Sequence, residues 1–224
     1  TTLEVGSNGD YTVKSSEDLY SSQLMLQKTV DAYKKHSLGK KALIFNNGIN
    51  TSISVYYAFK EAGLPIMHLD NTATKKQRKQ ILEWFHETPN AILTSVSILT
   101  TGFDEPTIDT IILNRATKSL TLYYQMVGRG SRILNNKSKF SIIDLGNNLF
   151  RFGPWGDNLD WQLIFKSPNW YADRIKSDEA IEANFKHDLA DEIKDEFSKS
   201  EDTYFDIKQT YKDAIAKGES SKVV

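Results

Sequence analysis

The sequence contains no cysteine, which excludes a disulfide framework and any thiolate metal site. No run of 18 apolar residues occurs, so neither a transmembrane span nor a membrane partner is expected. The first residues, Thr-Thr-Leu-Glu-Val-Gly, have neither the basic nor the apolar region of a secretory signal. The glycosylation-like triplets at Asn50 and Asn136 therefore carry no weight, and a cytoplasmic protein is the expectation. A complete G-x-x-x-x-G-K-[ST] phosphate loop is also missing: Gly39-Lys40 lacks the preceding glycine and the following Ser or Thr. Net charge is almost absent, at −1.

That near-neutrality hides an asymmetry. Residues 1–172 carry 19 Lys and Arg against 15 Asp and Glu, and residues 173–217 carry 8 against 13. The first part permits an anionic ligand, and the second reads as an acidic tail. The 224 residues suffice for one sizeable domain plus an extension, or for two small domains. Their 39% hydrophobic and 25% charged composition is ordinary for a globular chain.

Along the chain, a turn at residues 6–9 leads into an extended piece and then a helix over 17–36, stopped at Gly39. Short apolar runs at 42–46, 66–70, 91–94, 110–114 and 140–145 read as strands. They alternate with helices at 51–62, 74–87 and 119–128, the last capped by Ser119. Such alternation predicts an α/β fold, a parallel sheet with helices on both faces. Ligands in such sheets bind beyond the carboxyl ends of the strands, so loops 46–50, 95–104 and 114–118 and the stretch 125–132 are expected on one working edge. Residues 150–171 are rich in aromatics, including Phe150, Phe152, Trp155, Trp161 and Phe165, and are expected to pack rather than stay wet. A charged helix follows at 178–197 with Ile181, Phe185, Leu189, Ile193 and Phe197 at every fourth position, and Tyr204 to Ile215 continue as another. Asp178-Glu-Ala-Ile181 mimics a magnesium-binding box. It sits in a charged helix whose Asp191-Glu192 and Asp195-Glu196 repeat the dipeptide, so no metal site is assigned.

Chemistry concentrates in two stretches. Gln125, Gly128, Arg129 and Arg132 form Q-x-x-G-R-x-x-R, a spacing that shares one helix face. Two guanidiniums beside glycines suit a polyphosphate, although a solvated Gln/Arg face ending in a glycine stop gives the same pattern. The loop Thr94-Ser-Val-Ser-Ile-Leu-Thr-Thr-Gly-Phe-Asp-Glu-Pro106 follows a buried strand. Within it Gly102 allows close backbone approach and Asp104 offers an acceptor for ribose hydroxyls.

The order of Ala42-Leu-Ile-Phe-Asn-Asn-Gly, His68-Leu-Asp, Gln77-Arg78 and Phe85 resembles the second RecA-like domain of superfamily 2 helicases of DEAD/DEAH type. Thr101-Gly-Phe-Asp-Glu-Pro and Tyr124-Gln-Met-Val-Gly-Arg-Gly-Ser-Arg are similar to that family's fifth and sixth motifs. Ile143-Asp-Leu-Gly-Asn147 with Arg151-Phe-Gly153 is similar to a segment of phage-type and bacterial members. The resemblance spans residues 40–148 and implies three regions: 1–38 leading into the lobe, 39–149 as the lobe, and 150–224 as an aromatic and acidic helical extension.

It also implies an ATP-dependent DNA helicase or translocase of which this chain is the C-terminal motor lobe. ATP and Mg²⁺ would be held by an N-terminal lobe of the same parent protein, and this chain alone would be inactive. Arg129 and Arg132 would act as arginine fingers, and Gln125 would couple the nucleotide to the other lobe. Gly102, Asp104 and Gly128 would line the nucleotide, while Asn46, Asn47, Thr94 and Ser95 would lie nearer the nucleic-acid backbone. A non-enzymatic nucleic-acid-binding or adaptor module and the motor of a restriction system are the alternatives.

Overall fold

The structure is a computed structural model that describes residues 3–96, 99, 103–132, 134 and 137–167. The expected helices at 178–197 and beyond Tyr204, the Asp178 box and Gly102 lie outside the described residues. The chain divides into two compact units at Gly146 and Asn147.

Five strands build the first unit: β1 (Ala42–Asn46), β2 (Ile66–Leu69), β3 (Ile92–Val96), β4 (Thr110–Asn114) and β5 (Ser141–Asp144). They pair in the order β2-β3-β1-β4-β5, every pair parallel. The central strands β1 and β4 are buried along their whole length, which is why they read as unbroken apolar runs. Alternate residues leave opposite faces. Ala42, Ile44, Ile92 and Ile112 join one core cluster, and Leu43, Phe45, Leu93, Ile111 and Leu113 point the other way.

Three helices precede or follow the first strands. Helix α1 (Val13–Tyr20) and helix α2 (Gln23–Ser37) occupy the region expected to be a single helix over 17–36. The break is local chemistry. The Thr12 side chain caps α1 by accepting from the Ser15 amide, and Ser22 caps α2 by accepting from the Met25 amide. Helix α2 is part of the sheet's own packing, because Val30 and Tyr33 share the core cluster with Ile44 and Phe59. Helix α3 (Ile49–Glu61) lies beside α2 on the same face, against β1, β2 and β3.

Helix α4 (Lys75–Glu87) opens with a full capping box between Thr74 and Gln77. Helix α5 (Leu120–Val127) is capped by Ser119, as the sequence suggests, and packs on β4 through buried Tyr123, Met126 and Val127. It ends sooner than expected. Gly128 is its C-cap, and the amides of Arg129 and Gly130 bond the carbonyls of Met126 and Val127 in three-residue turns. The single helical face drawn through Gln125, Gly128, Arg129 and Arg132 therefore stops at the cap, and a turn presents Arg132.

The second unit begins with helix α6 (Asn148–Phe152) and helix α7 (Trp161–Lys166). Phe152 is buried, but α7 buries none of its residues and Phe165 is 79% exposed. The aromatic segment thus packs only in part among the described residues. No helix among the described residues is long and apolar enough to cross a membrane.

Candidate functional site

The carboxyl ends of the strands carry a buried chain of polar side chains. Asn46, the last residue of β1, accepts from the Asn114 amide at 2.8 Å and donates to Thr94 Oγ1 at 2.9 Å and to the Ser95 carbonyl at 3.2 Å. Thr94 Oγ1 meets Ser52 Oγ at 2.9 Å, Ser52 meets His68 Nδ1 at 2.9 Å, and His68 Nε2 meets Asp70 at 3.0 Å. Asn46, Thr94 and Ser95, expected near a nucleic-acid backbone, are instead fully buried. Asn46 and Thr94 spend their polar groups on each other and their neighbours, so what the three side chains set is the shape of the edge.

Asn47 is committed as well: its amide donates to the carbonyls of Tyr11 and Thr12 and to Ser16 Oγ. This edge is the switch point of the sheet, because the chain leaves β1 toward β2 and leaves β4 toward β5. Residues ahead of α2 cover it. Glu17 accepts from the backbone and side-chain amides of Asn50, and a Cβ at Gly48 would collide with that carboxylate. Asp10 accepts from Thr117 Oγ1 at 2.7 Å, the Lys118 amide at 2.7 Å and the Arg115 guanidinium at 3.3 Å. Burial lowers the pKa of Arg115, and the Asp10 charge works against that shift. Neither Asp10 nor Glu17 stands out in the sequence, since each resembles an ordinary surface acid in or near a turn.

The arginine stretch lies at the other end of the strands. A Cβ on Gly130 would overlap the ring of Phe140, the residue before β5, and would stand 2.9 Å from Ile111, the second residue of β4. A five-residue strand spans about 13 Å at about 3.3 Å per residue, so the single working edge expected from the sequence is two separate regions. The cause is that α5 runs back antiparallel to β4 before its turn delivers the arginines.

Here the two motif-bearing stretches meet. Arg129 donates from a terminal guanidinium nitrogen to the Phe103 carbonyl at 2.6 Å, and Arg132 Nε pairs with Asp104 Oδ1 at 3.2 Å. Asp104 is 73% and Arg132 48% exposed, so this ion pair faces solvent, as does Gln125 on α5. Burial lowers the pKa of Arg129, the neighbouring Arg132 charge lowers it further, and Asp104 opposes both. Two guanidiniums near enough to repel, over a carbonyl and an exposed carboxylate, form a place where an added anion relieves repulsion.

Beneath it lie charged groups that the sequence does not reveal. Lys137 Nζ donates to the carbonyls of Gly130 at 2.6 Å and Pro106 at 3.1 Å. Lys41 Nζ donates to the carbonyls of Phe85 and His86. Glu105 accepts from Thr107 and contacts His86 Nδ1 at 2.7 Å. Burial pushes the Glu105 carboxyl up, but bonds from Thr107 and His86 with the Lys41 charge outweigh it and hold the group below the ordinary value. A groove of about 570 Å³ runs alongside between α4 and residues 103–105, with Lys75, Arg78 and Lys79 on its α4 wall. A second groove, of about 530 Å³ between α2 and α3, contains none of the candidate site residues.

The model of the helicase conserved C-terminal domain matches residues 23–134, half of the chain. The chain belongs to that family. The matched residues take in helices α2 to α5 and strands β1 to β4 of the parallel sheet. Over 159 residues it is 31% identical to a 51.5 kDa protein of Lactococcus phage (isolate 7-9), covering 71% of this chain and 35% of that protein. Over 120 residues it is 32% identical to the putative ATP-dependent helicase IRC3 of Saccharomyces cerevisiae S288c, covering 54% of this chain and 17% of that protein. The chain thus spans 35% of the length of the phage protein and 17% of that of the yeast protein. Among solved structures, the C-terminal domain of the DEAD-box protein Dbp5 is similar with a TM-score of 0.47 and 18% identity, over 56% of this chain and 74% of that one. The matched region begins with α2 and ends just past Arg132, so it contains Arg129, Arg132 and Asp104 and excludes Asp10, Glu17 and Lys137.

Proposed function

We propose that this helicase lobe is the C-terminal motor half of an ATP-dependent DNA helicase or translocase, completed by an N-terminal lobe of the same parent protein. The observation that supports it best is the meeting of Arg129, Arg132 and Asp104 on one solvent-facing surface at the end of α5. In the hydrolysis proposed, a water oxygen attacks the γ-phosphorus and the bond to the β–γ bridging oxygen breaks. ADP, inorganic phosphate and a proton leave. Mg²⁺ held by the other lobe would neutralise phosphate charge. This lobe's part is to place the guanidiniums of Arg129 and Arg132 where charge develops on the γ-phosphoryl oxygens. The Phe103 carbonyl and the Asp104 carboxylate hold the two arginines ready for that anion.

Asp104, with Gly102 and Gly128, is assigned to the nucleotide and Gln125 to the contact with the other lobe. The strand is assigned, through its phosphates, to the outer surface of the loops shaped by Asn46, Asn47, Thr94 and Ser95, over the residues that cover the carboxyl edge of the sheet. DNA is the proposed strand on two grounds, the phage-type character of residues 143–153 and the likeness to a phage protein.

The test is the ATPase rate of the two-lobed parent with single-stranded DNA, duplex DNA and RNA. DNA should stimulate turnover, and Arg129→Lys and Arg132→Lys should each lower kcat about a thousandfold, because a point charge does not replace a planar fork. Stimulation by RNA alone would overturn the DNA assignment, and stimulation by none of the three would overturn the motor.

A further inference from the structure

Lys137 lies beyond the region matched by the helicase model and is not among the residues assigned above. It is nonetheless buried, and its ammonium reaches two carbonyls from different stretches. One belongs to Gly130, directly after Arg129. The other belongs to Pro106, two residues after Asp104. A rigid turn would not need such a tie, yet the Arg129–Arg132 turn has left α5, and among the described residues its amides reach back to Met126 and Val127 through three-residue bonds. Gly130 is also pressed onto the Phe140 ring so closely that no side chain fits there, and Lys137 Nζ lies 6.0 Å from the centroid of that same ring. Lysine, ring and glycine thus form one wedge under the arginines.

We propose that Lys137 is the positioning residue of the two arginines: its ammonium joins the Gly130 and Pro106 carbonyls and so fixes the arginine turn against the Phe103–Asp104 stretch. This rests on the assignment of Arg129 and Arg132 to ATP hydrolysis. A charged donor suits the task, because ammonium–carbonyl bonds are roughly twice as strong as neutral ones. Burial lowers the Lys137 pKa to about 8, with Asp109 and Glu105 opposing the shift as the acidic groups that face it. The strength of the tie should therefore change with pH near neutrality, which an arginine at the same place would not do.

The experiment uses the two-lobed parent and compares wild type, Lys137→Met, Lys137→Arg and Arg132→Ala. Lys137→Met should lower kcat about ten- to a hundredfold, as expected when reacting groups are displaced by about an ångström. KM for ATP should stay within about twofold, because ground-state binding is not what is lost. Lys137→Arg should recover most of the loss. The ratio of wild-type to Lys137→Arg kcat should fall as pH rises through about 8. Cooperative thermal melting of each variant separates loss of position from loss of fold. If Lys137→Met does not fold, the Arg variant and the pH ratio decide. Wild-type kcat in Lys137→Met while Arg132→Ala is inactive, or a pH ratio that stays flat, would overturn the role of Lys137. Full activity in Arg132→Ala would instead overturn the assignment on which it rests.

Discussion

Arg129 and Lys137 are both buried cations in part, and they differ in what burial does to them. A guanidinium stays charged under any attainable shift, whereas burial brings the Lys137 ammonium to about 8. Its unfolded value is 10.5, so between about 8 and 10.5 the unfolded chain binds more protons than the folded one, and stability rises with pH across that window. Lys41 contributes in the same direction, since burial lowers it too. Glu105 has the opposite sign. Its folded value lies below the ordinary one, so its contribution is present above about pH 4.5 and is lost as pH falls through the folded value. Urea unfolding of residues 1–224 at pH 7 and pH 9.5 should show the rise, and Lys137→Met should reduce it; an equal rise in that variant would contradict the burial of a charged amine. At this scale the sequence discloses the arginines, because their spacing beside glycines is unusual. It conceals the burial of Lys137, Lys41 and Asn46, because a lone lysine in a polar stretch or an amide at a strand end has the pattern of a solvated group. Only the fold shows which carbonyls surround them.

Among the elements, the strands are the most legible in the sequence. β1 and β4 are apolar throughout because both faces are covered, and all five strands coincide with apolar runs to within a residue or two. The helix ends were harder where side-chain capping competes with helix continuation. Ser21 and Ser22 divide α1 from α2 although the apolar pattern runs through them, and α5 stops at Gly128 although the pattern of polar residues continues to Arg132. Helix α4 is the opposite case, with its start written plainly as Thr74 and Gln77. Its first turn carries Lys75, Lys76 and Arg78, charges that the helix dipole disfavours there, so the capping box has the more to offset. Thr74→Ala should lower stability by about 0.5–2 kcal/mol, measured by urea unfolding at constant pH. A change within error would mean that packing of Phe85 alone fixes the start of α4.

For the whole molecule, the sheet separates two regions that the sequence places on one edge. The carboxyl ends of β1 and β4 are closed over by the lobe's own residues, with Asp10, Glu17 and Asn47 as the ties. The arginines emerge about one strand length away, beside Asp104 and above Lys137. The order of motifs was visible in the sequence, but their distribution in space was not, because it depends on the direction in which α5 returns along β4. Such an arrangement fits a lobe that offers arginines to a nucleotide held elsewhere. The most direct measurement is the ATPase rate of residues 1–224 alone against that of the same lobe joined to the proposed N-terminal lobe. The joined protein should turn over ATP and lose that activity on Arg132→Ala, while the lobe alone should show none. Hydrolysis by residues 1–224 alone that disappears on Arg132→Ala would contradict the account, because the arginines would then be serving an ATP site contained within this lobe.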